Sequence, residues 1–162
     1  MSKDVKRFPK TLSREEKEAI FSFLEERFGL SPSLFEDYEM LRGASNFWLY
    51  PKNAPLDKLK DLNPETVGLL FLREVSHYLK PTSAFLQRFG RWANKNIVEI
   101  TKEQFTLLKE RKKIEGIVLP LEPGYVILKY EGWILGCGLY LSNKLFAYIE
   151  EKILKSNTDL LK

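Results

Sequence analysis

Cysteine and histidine are almost missing from this chain: it has one of each, Cys137 and His77, in 162 residues. A lone cysteine excludes an internal disulfide and a cysteine-based zinc cluster. A lone histidine argues against a histidine-rich metal centre. No run of 18 apolar residues occurs, so no segment reads as a transmembrane helix. The opening MSKDVKRFPK is charged and leads into no continuous apolar stretch, so a secretory leader is not expected and a cytoplasmic location is. No Gly-Lys-Ser or Gly-Lys-Thr is present, which excludes a P-loop. Internal repeats and low-complexity segments are absent as well.

What is present is material for a packed interior. Hydrophobic residues make up 44% of the chain and aromatic residues 13%, enough for one compact domain or two small ones. The net charge of +4 permits a polyanionic partner without demanding one.

Residues 1–10 hold four cations and one acid and read as a loose arm. Ser13-Arg14-Glu15-Glu16 fits a capping box, and Ile20, Phe23, Leu24 and Phe28 recur at helical spacing before Gly29, which predicts a helix over 13–28. In FEDYEMLRGASNFWLYP, Tyr38 and Met40 alternate on one side of GASN and Phe47 and Leu49 on the other, which predicts a hairpin ended by Pro51. APLDKLKDL suits a short helix, Asn63-Pro64 a turn, and TVGLLFLREV a strand in which Gly68 permits close approach. Pro81, Thr82 and Ser83 suit a helix start. Phe85, Phe89 and Trp92 then share one inward-packing face. NIVEI reads as a strand. Thr101-Lys102-Glu103-Gln104 is a second capping box, opening a helix that carries Phe105, Leu108 and Ile114.

From Gly124 onward the pattern is β. In YVILKY, Val126, Leu128 and Tyr130 face one way and Tyr125, Ile127 and Lys129 the other. Glu131-Gly132 sits where a tight hairpin needs positive φ. WILGCGLYL returns, Ser142-Asn143 turns again, and KLFAYI leaves, giving a three-strand meander. The glycines of GWILGCG (Gly132, Gly136, Gly138) are in the wrong order for a dinucleotide loop, and a strand follows instead of a helix. They read as framework positions that bend a strand or admit other backbone. Cys137 between them reads as a small buried residue rather than a nucleophile, since no base lies beside it in sequence. His77 reads as a loop histidine.

GYVILKYEGWILGCGLY resembles the closing meander of PUA domains, RNA-binding modules. It is most similar to the PUA-like tail of Sun-family RNA 5-cytosine methyltransferases. Gly124, Tyr125, Val126, Leu128, Tyr130, Gly132, Leu135, Gly136 and Gly138 carry the match. FWLYP, GLLFLRE, KPTSA and IVEITKEQFTLL carry it upstream, over residues 35–150. The methyltransferase body is missing. There is no S-adenosylmethionine loop and no counterpart of the two catalytic cysteines, so no cofactor and no catalytic set are expected. Where many PUA domains carry a glycine after the first helix, this chain has Glu110-Arg111-Lys112-Lys113.

The resemblance implies an α+β fold: an N-terminal α/β (pre-PUA-like) unit, 1–93, packed on a C-terminal PUA-like small β-barrel, 94–162. It implies a non-catalytic RNA-binding role on rRNA or tRNA, in RNA modification or ribosome assembly. The implied protein partner is a separate RNA methyltransferase or a ribosome-assembly protein. A protein–protein adaptor in such an assembly is the alternative.

Two basic clusters stand out on charge alone. The segment from Val75 to Val98 contains no acid. It interleaves Lys80, Arg88, Arg91 and Lys95 with Tyr78, Phe85, Phe89 and Trp92, a pattern of cations for phosphates and rings for unpaired bases. Thr82, at a helix start, adds backbone donors, and Arg73 precedes the segment. The competing reading buries the rings and leaves the cations to solvate an outer face. The second cluster is Lys109, Arg111, Lys112 and Lys113; its plainer role is to complement a helix C-terminus. Trp133, at a hairpin edge, is either a stacking platform or a core residue.

Overall fold

The computed structural model of the chain describes residues 9–59 and 68–149. The Asn63-Pro64 turn and most of the arm therefore lie outside the described residues. The fold is mixed α+β, with two mostly antiparallel sheets. The chain divides into two compact units: residues 1–26 with 30–80, and residues 27–29 with 81–162.

The first unit is built on a sheet of order β1-β2-β3-β4-β5. Its strands are β1 (Lys10–Thr11), β2 (Tyr38–Arg42), β3 (Asn46–Pro51), β4 (Leu69–Val75) and β5 (Tyr78–Pro81). Lys10, expected in the loose arm, pairs instead with Arg42. Helix α1 (Arg14–Phe28) begins with the expected capping box: Ser13 Oγ accepts the Glu16 N–H at 3.2 Å, and the Ser13 N–H donates to Glu16 Oε1 at 2.9 Å. That N–H, opposed by desolvation and reinforced by Arg42, holds the Glu16 carboxyl below its usual range. Arg42 donates to Glu16 at 2.8 Å and to Glu74 at 3.1 Å, so one guanidinium ties β2 to both α1 and β4. The expected hairpin is β2–β3, and APLDKLKDL supplies the short helix α2 (Leu56–Leu59). Strand β5 was not foreseen. Its connection to β4 runs through Ser76 and His77, both in the left-handed region (φ 49° and 70°), without the Asn-Gly signal such turns usually carry.

On β3 the four consecutive residues Phe47, Trp48, Leu49 and Tyr50 are all buried, so both faces of this strand are covered. Trp48, Tyr50 and Leu41 form one cluster with Leu70 against it. A Cβ on Gly68 would strike the Tyr50 ring, so the glycine is there for that ring. Burial pushes the Tyr50 hydroxyl up to about 12. The unfolded chain ionises near 10, so the stability this group confers is full below pH 10 and is lost as pH rises towards 12. Tyr50→Phe should therefore flatten the alkaline limb of a stability–pH curve, by about 2 kcal/mol near pH 12. Urea titrations at stepped pH would show this, and an unchanged limb would contradict it.

The second unit holds a sheet of order β6-β8-β9-β10-β7. These are β6 (Ile97–Glu99), β7 (Lys113–Glu115), β8 (Gly124–Tyr130), β9 (Trp133–Leu141) and β10 (Lys144–Ala147). Strand β6 runs parallel to β8, and β8–β9, β9–β10 and β10–β7 are antiparallel. The predicted meander is thus present. Its turns have the required left-handed residues: Glu131 (φ 47°) with Gly132 (φ 85°), and Ser142 (φ 54°) with Asn143 (φ 60°).

Helix α3 (Ser83–Phe89) is capped by Thr82, and helix α4 (Lys102–Arg111) has the full Thr101–Gln104 capping box. One sheet face carries Val126, Leu128, Tyr130 and Leu135, clustered with Phe105 and Leu108 of α4. The Phe105 and Tyr130 rings stack at 4.3 Å. The other face meets α3: Gln87 donates to the Leu135 carbonyl at 2.8 Å, and Gly90 lies against Ile127 and Ile134. Arg27, at the end of α1, donates to the carbonyls of Tyr125 and Glu122 at 2.7 and 3.1 Å.

Three expectations need correction. The sheet is not a closed barrel: β6 and β7 are its two opposite edges, each three residues long, with no pairing between them among the described residues. The compact units divide after Lys80 rather than after residue 93, because α3 is bonded to β9 through Gln87 and Ser83. Ile114 lies on β7, not on the helix, since Lys112 takes the left-handed conformation (φ 62°) and ends α4. No helix among the described residues is long and apolar enough to cross a membrane.

Candidate nucleic-acid interface

The acid-free segment folds as β5, α3 and the 3-10 turn Gly90–Trp92. Its rings separate sharply. Phe85 and Phe89 are buried, their centroids 5.3 Å apart, as the helical spacing implied. Trp92 still reaches the Phe89 ring, centroids 6.0 Å apart, but is 45% exposed. Helix α3 stops at Phe89, and the tighter turn that follows changes the angular step, so i+7 no longer returns to the buried stripe. Tyr78 is 71% exposed.

Three of the segment's four cations lie outside. Arg88, Arg91 and Lys95 are all exposed. The Arg91 guanidinium sits 4.2 Å from the centroid of the Trp92 ring, and Arg88 lies 6.0 Å from the Phe89 ring. The surface thus presents a cation stacked on an indole beside two further cations. Thr82 is engaged as the α3 cap, accepting the Phe85 N–H at 3.1 Å. All these residues belong to the second unit. Arg73, exposed on β4, and Lys80, half-buried on β5, belong to the first.

The second cluster is divided by its own backbone. Lys109 lies 5.5 Å from the Phe105 ring. Lys112 donates from Nζ to the Ile149 carbonyl at 2.7 Å, so its charge is committed to holding the segment after β10. Arg111 and Lys113 are exposed. Trp133 is 54% exposed and pairs with Tyr130, which puts it on the α4 face of the sheet. Trp92 follows α3, on the opposite face. The two tryptophans are therefore not one platform.

Cys137 is fully buried. Its N–H donates to Ser83 Oγ at 2.9 Å, and its Sγ lies 3.5 Å from the Gly138 carbonyl. His77 is exposed in the β4–β5 turn of the first unit. A thiol in this setting should react with Ellman's reagent only after denaturation; rapid stoichiometric reaction of the folded protein would contradict the burial. Sequence reasoning also passed over a pocket of the first unit, lined in part by Lys17 and Lys52. Its residues are scattered over three elements and carry no local signal.

Compared with protein-family models and with curated proteins, the chain matches none.

Proposed function

We propose that this protein is a non-catalytic RNA-binding protein acting on structured rRNA or tRNA, with the second-unit part of the acid-free segment, residues 81–98, as its principal contact surface. The observation that carries the reading is the separation of that segment into buried rings and exposed cations, with Arg91 stacked on a half-exposed Trp92. Arg88, Arg91 and Lys95 suit phosphate oxygens. Trp92 offers a face to an unstacked base. Arg111 on α4 and Lys113 on β7 are further exposed cations of the same unit. The β8–β9–β10 meander, with left-handed residues at both turns, supports the resemblance to PUA domains, though as an open sheet.

Filter binding to total tRNA and to rRNA fragments across a salt series tests the reading. Affinity should fall linearly on a log–log plot against salt. A flat or absent response would sink it. An adaptor role is the second reading, favoured by exposed apolar residues: Val118 at 77% and Leu141 at 47%. The partner would be a separate RNA methyltransferase or a ribosome-assembly protein. That reading predicts no salt-dependent RNA binding.

A further inference from the structure

The first unit carries a pocket of about 320 Å³ between α1, the 3-10 turn Pro32–Phe35 and β2. That volume is at the lower end of small-ligand sites, about 300–1,000 Å³, so it suits one compact ligand. Three aromatic residues line it: Phe21, Phe35 and Tyr38. Phe35 and Met40 are buried and form its apolar floor, while Phe21 is half-exposed. The Phe21 and Phe35 rings are stacked, their planes within 21° and their centroids 6.4 Å apart, so Phe21, the half-exposed member, is the ring a flat ligand can reach. Two cations belong to the lining, Lys17 on α1 and Lys52 just past β3. Lys17 is steadied by Glu39 at 3.8 Å. Lys52 is exposed, and its N–H, donating to the Asp37 carbonyl at 2.9 Å, fixes its backbone beside β2. Glu36 adds an acceptor-only group.

We infer that this pocket binds a single nucleotide. A planar base would lie against the aromatic wall. Its phosphate would meet Lys17 and Lys52, and Glu36 would accept from the N–H donors of the base edge. Aromatic residues bind any base through its π-face, and lysine ammonium groups hold phosphate as point charges. An aliphatic anion would leave the ring wall unused, and an uncharged aromatic ligand would leave the lysines unused. The inference stands on the pocket's own lining and does not depend on the acid-free segment.

The nucleotide has two possible sources, a free metabolite or one residue of a single-stranded RNA. Titration of the full chain with each of the four nucleoside 5′-monophosphates, with the matching nucleosides, and with a single-stranded RNA hexamer separates them. Saturation-transfer NMR is the readout for the small ligands and fluorescence anisotropy for the hexamer. Lys52→Glu should weaken the monophosphates, or the hexamer if RNA is the source, by about tenfold, and leave the nucleosides unchanged. Phe21→Ala should weaken nucleotide and nucleoside alike. Lys52 is exposed, so its variant tests the inference even if Phe21→Ala fails to fold. If no probe binds, or if binding is unchanged in both variants, the inference is overturned. Loss of tRNA binding with retained, Lys52-dependent monophosphate binding would reject the RNA reading alone. Salt-dependent tRNA binding with no Lys52 or Phe21 effect on any probe would reject the pocket alone.

Discussion

Gly136→Ala should destabilise the second unit by about 4 kcal/mol. Gly136 sits in mid-strand on β9 at φ 148°, a conformation that side-chain-bearing residues avoid at a cost of about 1–3 kcal/mol. A Cβ there would also run into Ser83 Oγ and Cβ and crowd Ile149. Ser83 cannot yield cheaply. Its hydroxyl donates to the Tyr148 carbonyl at 2.7 Å and accepts the Cys137 N–H at 2.9 Å. Displacing it gives up two hydrogen bonds, about 1 kcal/mol each. Gly132→Ala is the control: Gly132 has positive φ but open space around its Cβ position, so it should lose only about 1 kcal/mol. Denaturant titrations followed by circular dichroism rank the two. Equal stabilities for Gly136→Ala and the parent would show the backbone here to be more adaptable than its geometry implies.

Charge reversal at Arg88, Arg91 and Lys95 together should cost RNA affinity about 100-fold or more at low salt. The reason is additive: each cation facing a phosphate releases counterions on binding. Removing three should also lower the steepness of the log–log salt dependence by about 2–3. All three side chains are exposed, so the far-ultraviolet spectrum should not change. Trp92→Ala should behave differently. It removes a stacking face, so affinity should drop, by about 1–3 kcal/mol per stacked base, while the salt slope stays as in the parent. Reversal of Arg111 and Lys113 should have the smaller effect, because two cations are removed rather than three. Retained affinity in the triple variant would move the binding surface elsewhere.

The parts of the fold written in local chemistry were legible in the sequence. Both capping boxes, at Ser13 and Thr101, form with both of their reciprocal bonds. The turns at Glu131-Gly132 and Ser142-Asn143 and the alternation of β8 located the meander. What escaped depends on distant partners or on unusual backbone. The assignment of α3 to the second unit rests on Gln87 reaching Leu135 and Ser83 reaching Tyr148, bonds that span 48 and 65 positions. Arg27 finds Tyr125 across 98. The open edges of the second sheet are a property of strand order, which alternation does not encode. Strand β5 was hidden because Ser76 and His77 are poor formers of the turn they make.

The candidate site was legible in part. Helical spacing puts Phe85 and Phe89 inside, and both are buried, which bears out the competing reading for these two rings rather than stacking on bases. The same spacing fails at Trp92, which lies past the end of α3. The sequence places Lys112 among the basic cluster's surface charges, yet its ammonium group donates to the Ile149 carbonyl. That bond follows from the left-handed backbone at Lys112, which no pattern in Glu110-Arg111-Lys112-Lys113 announces.

Ser83 touches β9 and the segment after β10 at once, at Cys137 and Tyr148, and those two residues are themselves joined by the Tyr148 N–H to the Cys137 carbonyl at 2.9 Å. A slip of one residue in the β9–β10 pairing would turn every side chain to the wrong face and would also carry one of these two groups out of reach of the hydroxyl. Helix α3 can therefore seat only on a correctly aligned hairpin, and the serine acts as a proofreader of strand alignment. Ser83→Ala should leave the meander paired but allow mis-registered forms to persist, seen as slowed final refolding and weakened amide exchange protection at Cys137.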